Sequence, residues 1–186
     1  MPQEIQIDQL GYADRLQLAW AIVWPTLIIE LLVWLPRDHL GLSGSKLEFI
    51  DFVDALLFTF LILPWVVRRT VRLSFPRFHL VVRRKSGEET RAMTYRESLS
   101  VAWLLNWRTG AILVIIFLLI YAAVWIVRGA PPESLNPFKH VAEPGLPGLV
   151  KLFVEHALVL VVLFFWTVKA AINKNYSDIW LRLERA

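Results

Sequence analysis

Four long blocks of the chain are nearly free of charge: 16–35, 49–67, 104–127 and 149–168. A helix needs ~20 mostly apolar residues to cross the hydrocarbon core of a bilayer, so the pattern predicts four membrane-spanning helices. The cleanest run, Ala111 to Val127, holds no charged residue. The first block is not read as a cleaved signal peptide. It follows an acidic, Arg-poor segment, contains Glu30 and has no small-residue cleavage site before Pro36. Outside the blocks the period changes. Phe78-His-Leu80-Val-Val82-Arg83 and Ile179-Trp-Leu181-Arg-Leu183 alternate with period two, as half-buried strands do. Lys85-Ser86-Gly87-Glu88 predicts a turn into a further strand over 89–94, and Ile5-Gln-Ile7 a strand at the start. The four strands are expected to form one small cytosolic sheet.

The pattern also repeats. Tyr12-Ala-Asp-Arg-Leu16-Gln-Leu-Ala19-Trp20-Ala-Ile-Val-Trp24-Pro-Thr26 lies over Tyr95-Arg-Glu-Ser-Leu99-Ser-Val-Ala102-Trp103-Leu-Leu-Asn-Trp107-Arg-Thr109 at a constant offset of 83. Six of the 15 positions are identical, the Tyr and both Trp among them, and Asp14 matches Glu97 in charge. At an offset of 101, Phe52-Val53-Asp54 lies over Phe153-Val154-Glu155, Trp65 over Trp166, Val67-Arg68 over Val168-Lys169 and Phe75 over Tyr176. The offset grows because the second external loop is longer, with Pro131, Pro132, Pro137, Pro144 and Pro147. The expected fold is therefore an all-α integral membrane protein of two parallel two-span repeats with a small cytosolic β element. Residues 1–77 form the first repeat, 78–94 a basic hairpin and 95–186 the second repeat.

Composition agrees. The 186 residues are 56% hydrophobic and 19% charged, without Cys, and mean hydropathy is +0.51. That excludes an ordinary soluble domain, a disordered tail and a disulfide-stapled secreted domain. Of the 20 Lys and Arg, 15 fall on one side of the predicted spans and five on the other. The positive-inside rule then places both termini and the middle loop in the cytoplasm of a bacterial-type inner membrane. The pI of 9.6 is mostly this topology signal, so a nucleic-acid partner is not expected.

Ionisable side chains inside a bilayer are costly and mark sites. Glu30 lies five residues inside the external end of span one, Asp54 five inside that of span two, and Glu155 and His156 six and seven inside that of span four. All four sit roughly 7–11 Å below the external boundary at the helical rise. The functional reading is an outward-facing polar cluster able to hold a proton or cation. The plain alternative is that the spans begin deeper and these groups lie at the interface.

The repeat-related aromatics Tyr12, Trp20, Trp24, Tyr95, Trp103 and Trp107 read partly as an interfacial belt. Trp24 and Trp107, one turn deeper, are expected to pack the repeat interface or line a lipid-facing groove. Arg83, Arg84, Lys85 and Arg91 form an expected cytosolic docking surface. No phosphate loop, metalloprotease motif or nucleophile stands in a recognisable setting, so neither catalytic residues nor a metal nor a cofactor is assigned. The leading expectation is a non-enzymatic scaffold, sensor or complex subunit that contacts lipids and either a second copy or another membrane or cytosolic subunit. The alternative is a proton or cation pathway through the polar cluster.

Overall fold

A computed structural model of the chain describes residues 4–5, 9–40, 45–128, 146–172, 174, 176 and 178–185. The element order is β1 (Glu4–Ile5), α1 (Tyr12–Leu40), α2 (Ser45–Leu57), α3 (Leu63–Arg72), β2 (Phe78–Arg84), β3 (Glu89–Thr90), α4 (Tyr95–Arg128), α5 (Leu146–Val162), α6 (Val168–Ala171) and β4 (Ile179–Arg185). A π turn over Phe58–Ile62 joins α2 to α3, and another over Leu163–Thr167 joins α5 to α6. The protein is thus mostly helical with a small sheet. The proline-rich second loop and Ile7 of the expected first strand lie outside the described residues.

Among the described residues, three helical stretches are long and apolar enough to cross a membrane: Tyr12–Val33, Tyr95–Val127 and Leu152–Ala171. The remaining expected span, 49–67, is helical along its length but is interrupted by the first π turn. The helices also begin before the apolar blocks do. α1 starts at Tyr12 rather than near Leu16, and α4 at Tyr95 rather than near Leu104. A capping box explains the second start. The Thr94 N–H donates to Glu97 Oε2 at 2.7 Å, and the Glu97 N–H donates to Thr94 Oγ1 at 3.3 Å. α4 has 34 residues, about 51 Å of helix against ~30 Å of hydrocarbon. Its first turns accordingly pack on protein.

The sheet order is β1-β4-β2-β3, antiparallel throughout. Phe78, Leu80 and Val82 of β2 and Ile179, Leu181 and Leu183 of β4 face the helices. They bury against Leu18, Ala19 and Ile22 of α1, Val66, Val67 and Val71 of α3, Val101 and Leu105 of α4, and Val168 and Ala171 of α6. His79, Arg83, Trp180, Arg182 and Glu184 alternate onto the other face. The register is symmetric about the pair Val81–Arg182. On either side of it Glu4 opposes Glu184 as Glu89 opposes Arg83, and Ile5 opposes Leu183 as Thr90 opposes Val82. Gly87 closes the β2–β3 turn with φ 86°, a left-handed conformation that glycine adopts without strain. β3 stops at Thr90, short of the expected Thr94. Arg91 there folds back onto the α3–β2 connection, and Thr94 is taken up by the α4 cap.

Two prolines sit inside predicted spans and leave a carbonyl without its helical donor. Pro25 cannot donate to Ala21 O, and the Thr70 hydroxyl on α3 does so instead at 3.4 Å. Pro64 cannot donate to Phe60 O, and the Tyr95 hydroxyl at the start of α4 does so at 2.6 Å. Hydrocarbon offers no water to such groups, so hydroxyls from neighbouring helices must supply the bonds. Each proline thereby ties its helix to another.

Candidate functional site

Glu30 on α1 and His156 on α5 meet across the α1–α5 packing. His156 is buried, and its Nδ1 lies 2.9 Å from Leu152 O one turn earlier on α5. A carbonyl only accepts, so Nδ1 carries a proton and Nε2 is the free end of the ring. Nε2 points to Glu30 Oε2 at 3.7 Å. This distance is within ion-pair range but too long for a direct hydrogen bond. The Glu30 side chain is 33% exposed and that of His156 10%. Asp54 on α2 and Glu155 on α5 lie close enough for their charge to act on Glu30. Three helices therefore bring the four expected residues into one electrostatic neighbourhood, with Glu30 and His156 in contact. Among the described residues no three His, Asp or Glu come close enough to hold a metal ion.

The pair has two charge arrangements that differ by a transferable proton. A protonated Glu30 beside a neutral imidazole is one, and a carboxylate beside an imidazolium is the other. Further proton uptake leaves a neutral acid next to a cation, and loss leaves a carboxylate next to neutral Nε2. The bond to Leu152 O fixes the ring and leaves Nε2 as the nitrogen that faces Glu30.

The aromatic positions divide. Tyr12, Trp20, Trp103 and Trp107 are exposed, and Tyr95 is somewhat less so. Trp24 is half-buried beneath Arg69, whose Cζ lies 4.8 Å from the indole centre. Its counterpart Trp107 faces outward, with only the neighbouring Arg108 at 5.8 Å. The two tyrosines act on the π turns. Tyr95 donates to Phe60 in the first, and the Tyr12 ring lies 6.2 Å from Phe164 in the second.

The basic residues divide too. Arg84 bonds Glu97 at 2.9 Å and Glu88 at 2.8 Å. These bonds, Glu97's first, push its pKa up and keep it cationic. Arg83 lies 3.7 Å from Glu89. With Lys85, Gly87, Trp180 and Arg182 these two line a groove of about 340 Å³. Arg91 is not part of that groove. Its guanidinium donates to Arg72 O at 3.2 Å and to Leu73 O and Ser74 Oγ at 2.9 Å, holding the α3–β2 connection.

Several of these roles went unread in the sequence. Thr94-x-x-Glu97 is a capping-box spacing visible without coordinates. Pro25 and Pro64 inside apolar blocks announce orphan carbonyls four residues earlier, though not which hydroxyl answers them. No protein-family model, curated protein or solved structure matches the chain.

Proposed function

We propose that the protein is a four-span, non-enzymatic inner-membrane protein of duplicated design. Its Glu30–His156 pair takes up and releases a proton from the side of the membrane opposite the sheet. The observation that carries this reading is the 3.7 Å approach of a buried imidazole to a carboxylate from another helix, with Asp54 and Glu155 acting on the same carboxylate. Intramembrane carboxylate–histidine sets are the usual parts of proton relays.

The duplication has support of its own. β2 and β4 pair about Val81 and Arg182, residues separated by the 101 positions that also align the second halves of the repeats. α1 and α4 start at the aligned Tyr12 and Tyr95. Each second span of a unit contains a π turn, contacted by the tyrosine of the other unit. With the sheet on the basic, cytoplasmic side, the polar cluster faces outward.

Purified protein in liposomes loaded with a pH-sensitive dye tests the reading. The wild type is expected to conduct protons down an imposed gradient, and Glu30→Gln and His156→Gln to fall to the level of protein-free vesicles. Unchanged proton flux in both variants overturns it. The groove beside Trp180 favours a second reading, docking of another subunit on the sheet. There, Lys85→Glu with Trp180→Ala is expected to release a copurifying protein while leaving proton flux intact.

A further inference from the structure

On α3, Arg68, Arg69 and Arg72 have no anionic partner among the described residues, and the first two are half-buried. Arg68 and Arg69 lie beyond the first π turn at the sheet-side end of a predicted span, and neither is within 4.0 Å of a carboxylate among the described residues. Each instead stacks on an aromatic ring of a neighbouring helix. Arg69 lies over Trp24 of α1 at 4.8 Å, and Arg68 over Tyr95 of α4 at 5.9 Å. Both side chains are half-buried, and Arg68 Nε and Arg69 Nη1, like Arg91 Nε, are enclosed with no acceptor among the described residues. A cation held against a ring still has hydrogen-bonding edges to satisfy, here those on the exposed part of each side chain. Some other cations on this side of the protein are paired with carboxylates. Arg84 has Glu97 and Glu88, Arg83 has Glu89, and Arg77 has Asp14.

What lies below the two arginines identifies the ligand. Leu57, Leu61 and Trp65 follow one another at four-residue spacing and are 45%, 56% and 46% exposed. Position 65 is followed three and four residues later by Arg68 and Arg69, so one helix face runs from bare apolar surface to uncompensated positive charge. A free phosphate ion has no use for the apolar strip. A lipid uses both parts, with acyl chains along Leu57, Leu61 and Trp65 and a phosphodiester at the guanidinium groups.

We infer that the α3 face of the protein is a binding site for an anionic phospholipid of the sheet-side leaflet. Its headgroup phosphate accepts from Arg68 and Arg69, which Tyr95 and Trp24 hold in place. Two uncompensated charges select a headgroup of net negative charge over a zwitterionic one.

Native mass spectrometry of the full-length protein in detergent tests this, with phosphatidylglycerol and phosphatidylcholine of the same acyl chains titrated separately. The wild type is expected to retain phosphatidylglycerol in clear preference. Arg68→Gln with Arg69→Gln is expected to weaken phosphatidylglycerol retention about 30-fold, and either single change about fivefold, with phosphatidylcholine unaffected. The single variants, which keep one guanidinium, carry the test if the double variant does not fold. Arg185→Gln, at the end of β4 and outside the groove, is the control and is expected to leave lipid retention unchanged. Equal retention of the two lipids by the wild type, or undiminished preference in the arginine variants, overturns the inference. So does displacement of the bound lipid by millimolar inorganic phosphate, which would make the site one for the free ion.

Discussion

The two ends of the helices are built on different principles. On the sheet side, α1, α3, α4 and α6 converge on one face of the sheet. Side chains such as Phe78, Val66, Val82, Ala102 and Leu183 are wholly enclosed there. On the far side the helices expose their apolar residues. Val114, Ile115, Leu118 and Leu119 of α4 are all more than half exposed. Packing fixes the first region as it would in a soluble domain, through tight burial and cavity cost. The second is left for lipid to cover, and Glu30 and His156 approach one another within it. The difference suits a protein whose fold is secured at one end and whose titratable pair sits at the other. On the proposed function, a proton site placed there changes charge without disturbing the core.

The sharpest way to break this comparison is to remove one large side chain from each end. Phe78 is fully enclosed and stacks on Phe75 at 4.6 Å between ring centres. Phe78→Ala is expected to destabilise the protein by about 3–5 kcal/mol. Leu118→Ala, on the lipid-facing stretch of α4, is expected to change stability by less than about 1 kcal/mol, because no packed cavity forms. Equilibrium unfolding in mixed micelles, followed by circular dichroism, measures both. Equal losses would mean that the far half is packed as tightly as the sheet side.

A smaller effect sharpens the same contrast at the boundary between the halves. Tyr95→Phe removes the hydroxyl bonded to the carbonyl that Pro64 orphans and is expected to cost about 1–2 kcal/mol. In a Pro64→Ala background residue 64 regains its N–H, so the same Tyr95→Phe change is expected to cost under about 0.5 kcal/mol. A double-mutant cycle by the same unfolding method reads the difference. Additive losses would show that Tyr95 stabilises through its ring alone.

Much of this architecture is legible in the sequence because two periods are. The apolar blocks announce helices, and the alternation over Phe78–Arg83 and Ile179–Leu183 announces the two long strands that pair in the centre of the sheet. The repeat predicts which residues are counterparts, and the shared depth of Glu30, Asp54, Glu155 and His156 predicts their neighbourhood. What stays hidden is set by partners distant in the chain. Nothing local says that Arg84 answers Glu97, that Arg91 serves the α3–β2 connection, or that Trp24 meets Arg69 while its counterpart Trp107 does not. The π turns were equally illegible, since an extra residue per turn leaves the apolar pattern intact.

The smallest predicted effect concerns the sheet-side end alone and has a defined sign with pH. The Tyr176 hydroxyl is buried and donates to Ala171 O at 3.0 Å, at the end of α6. Burial pushes its pKa above the ordinary 10.0, and Arg108 opposes this only in part. Below pH 10 the hydroxyl is neutral in folded and unfolded chains alike, and its full contribution is present. Above that, the unfolded chain releases the proton while the folded chain keeps it, so stability falls as pH rises towards the folded value. Half a pH unit above 10, the wild type is expected to have lost up to about 0.8 kcal/mol more than Tyr176→Phe. The other tyrosines titrate in both proteins, so only the difference between the two stability–pH curves reports Tyr176. Parallel curves between pH 9 and 10.5 would show that water reaches the hydroxyl, and that the packed end of the molecule is less closed around α6 than around Phe78.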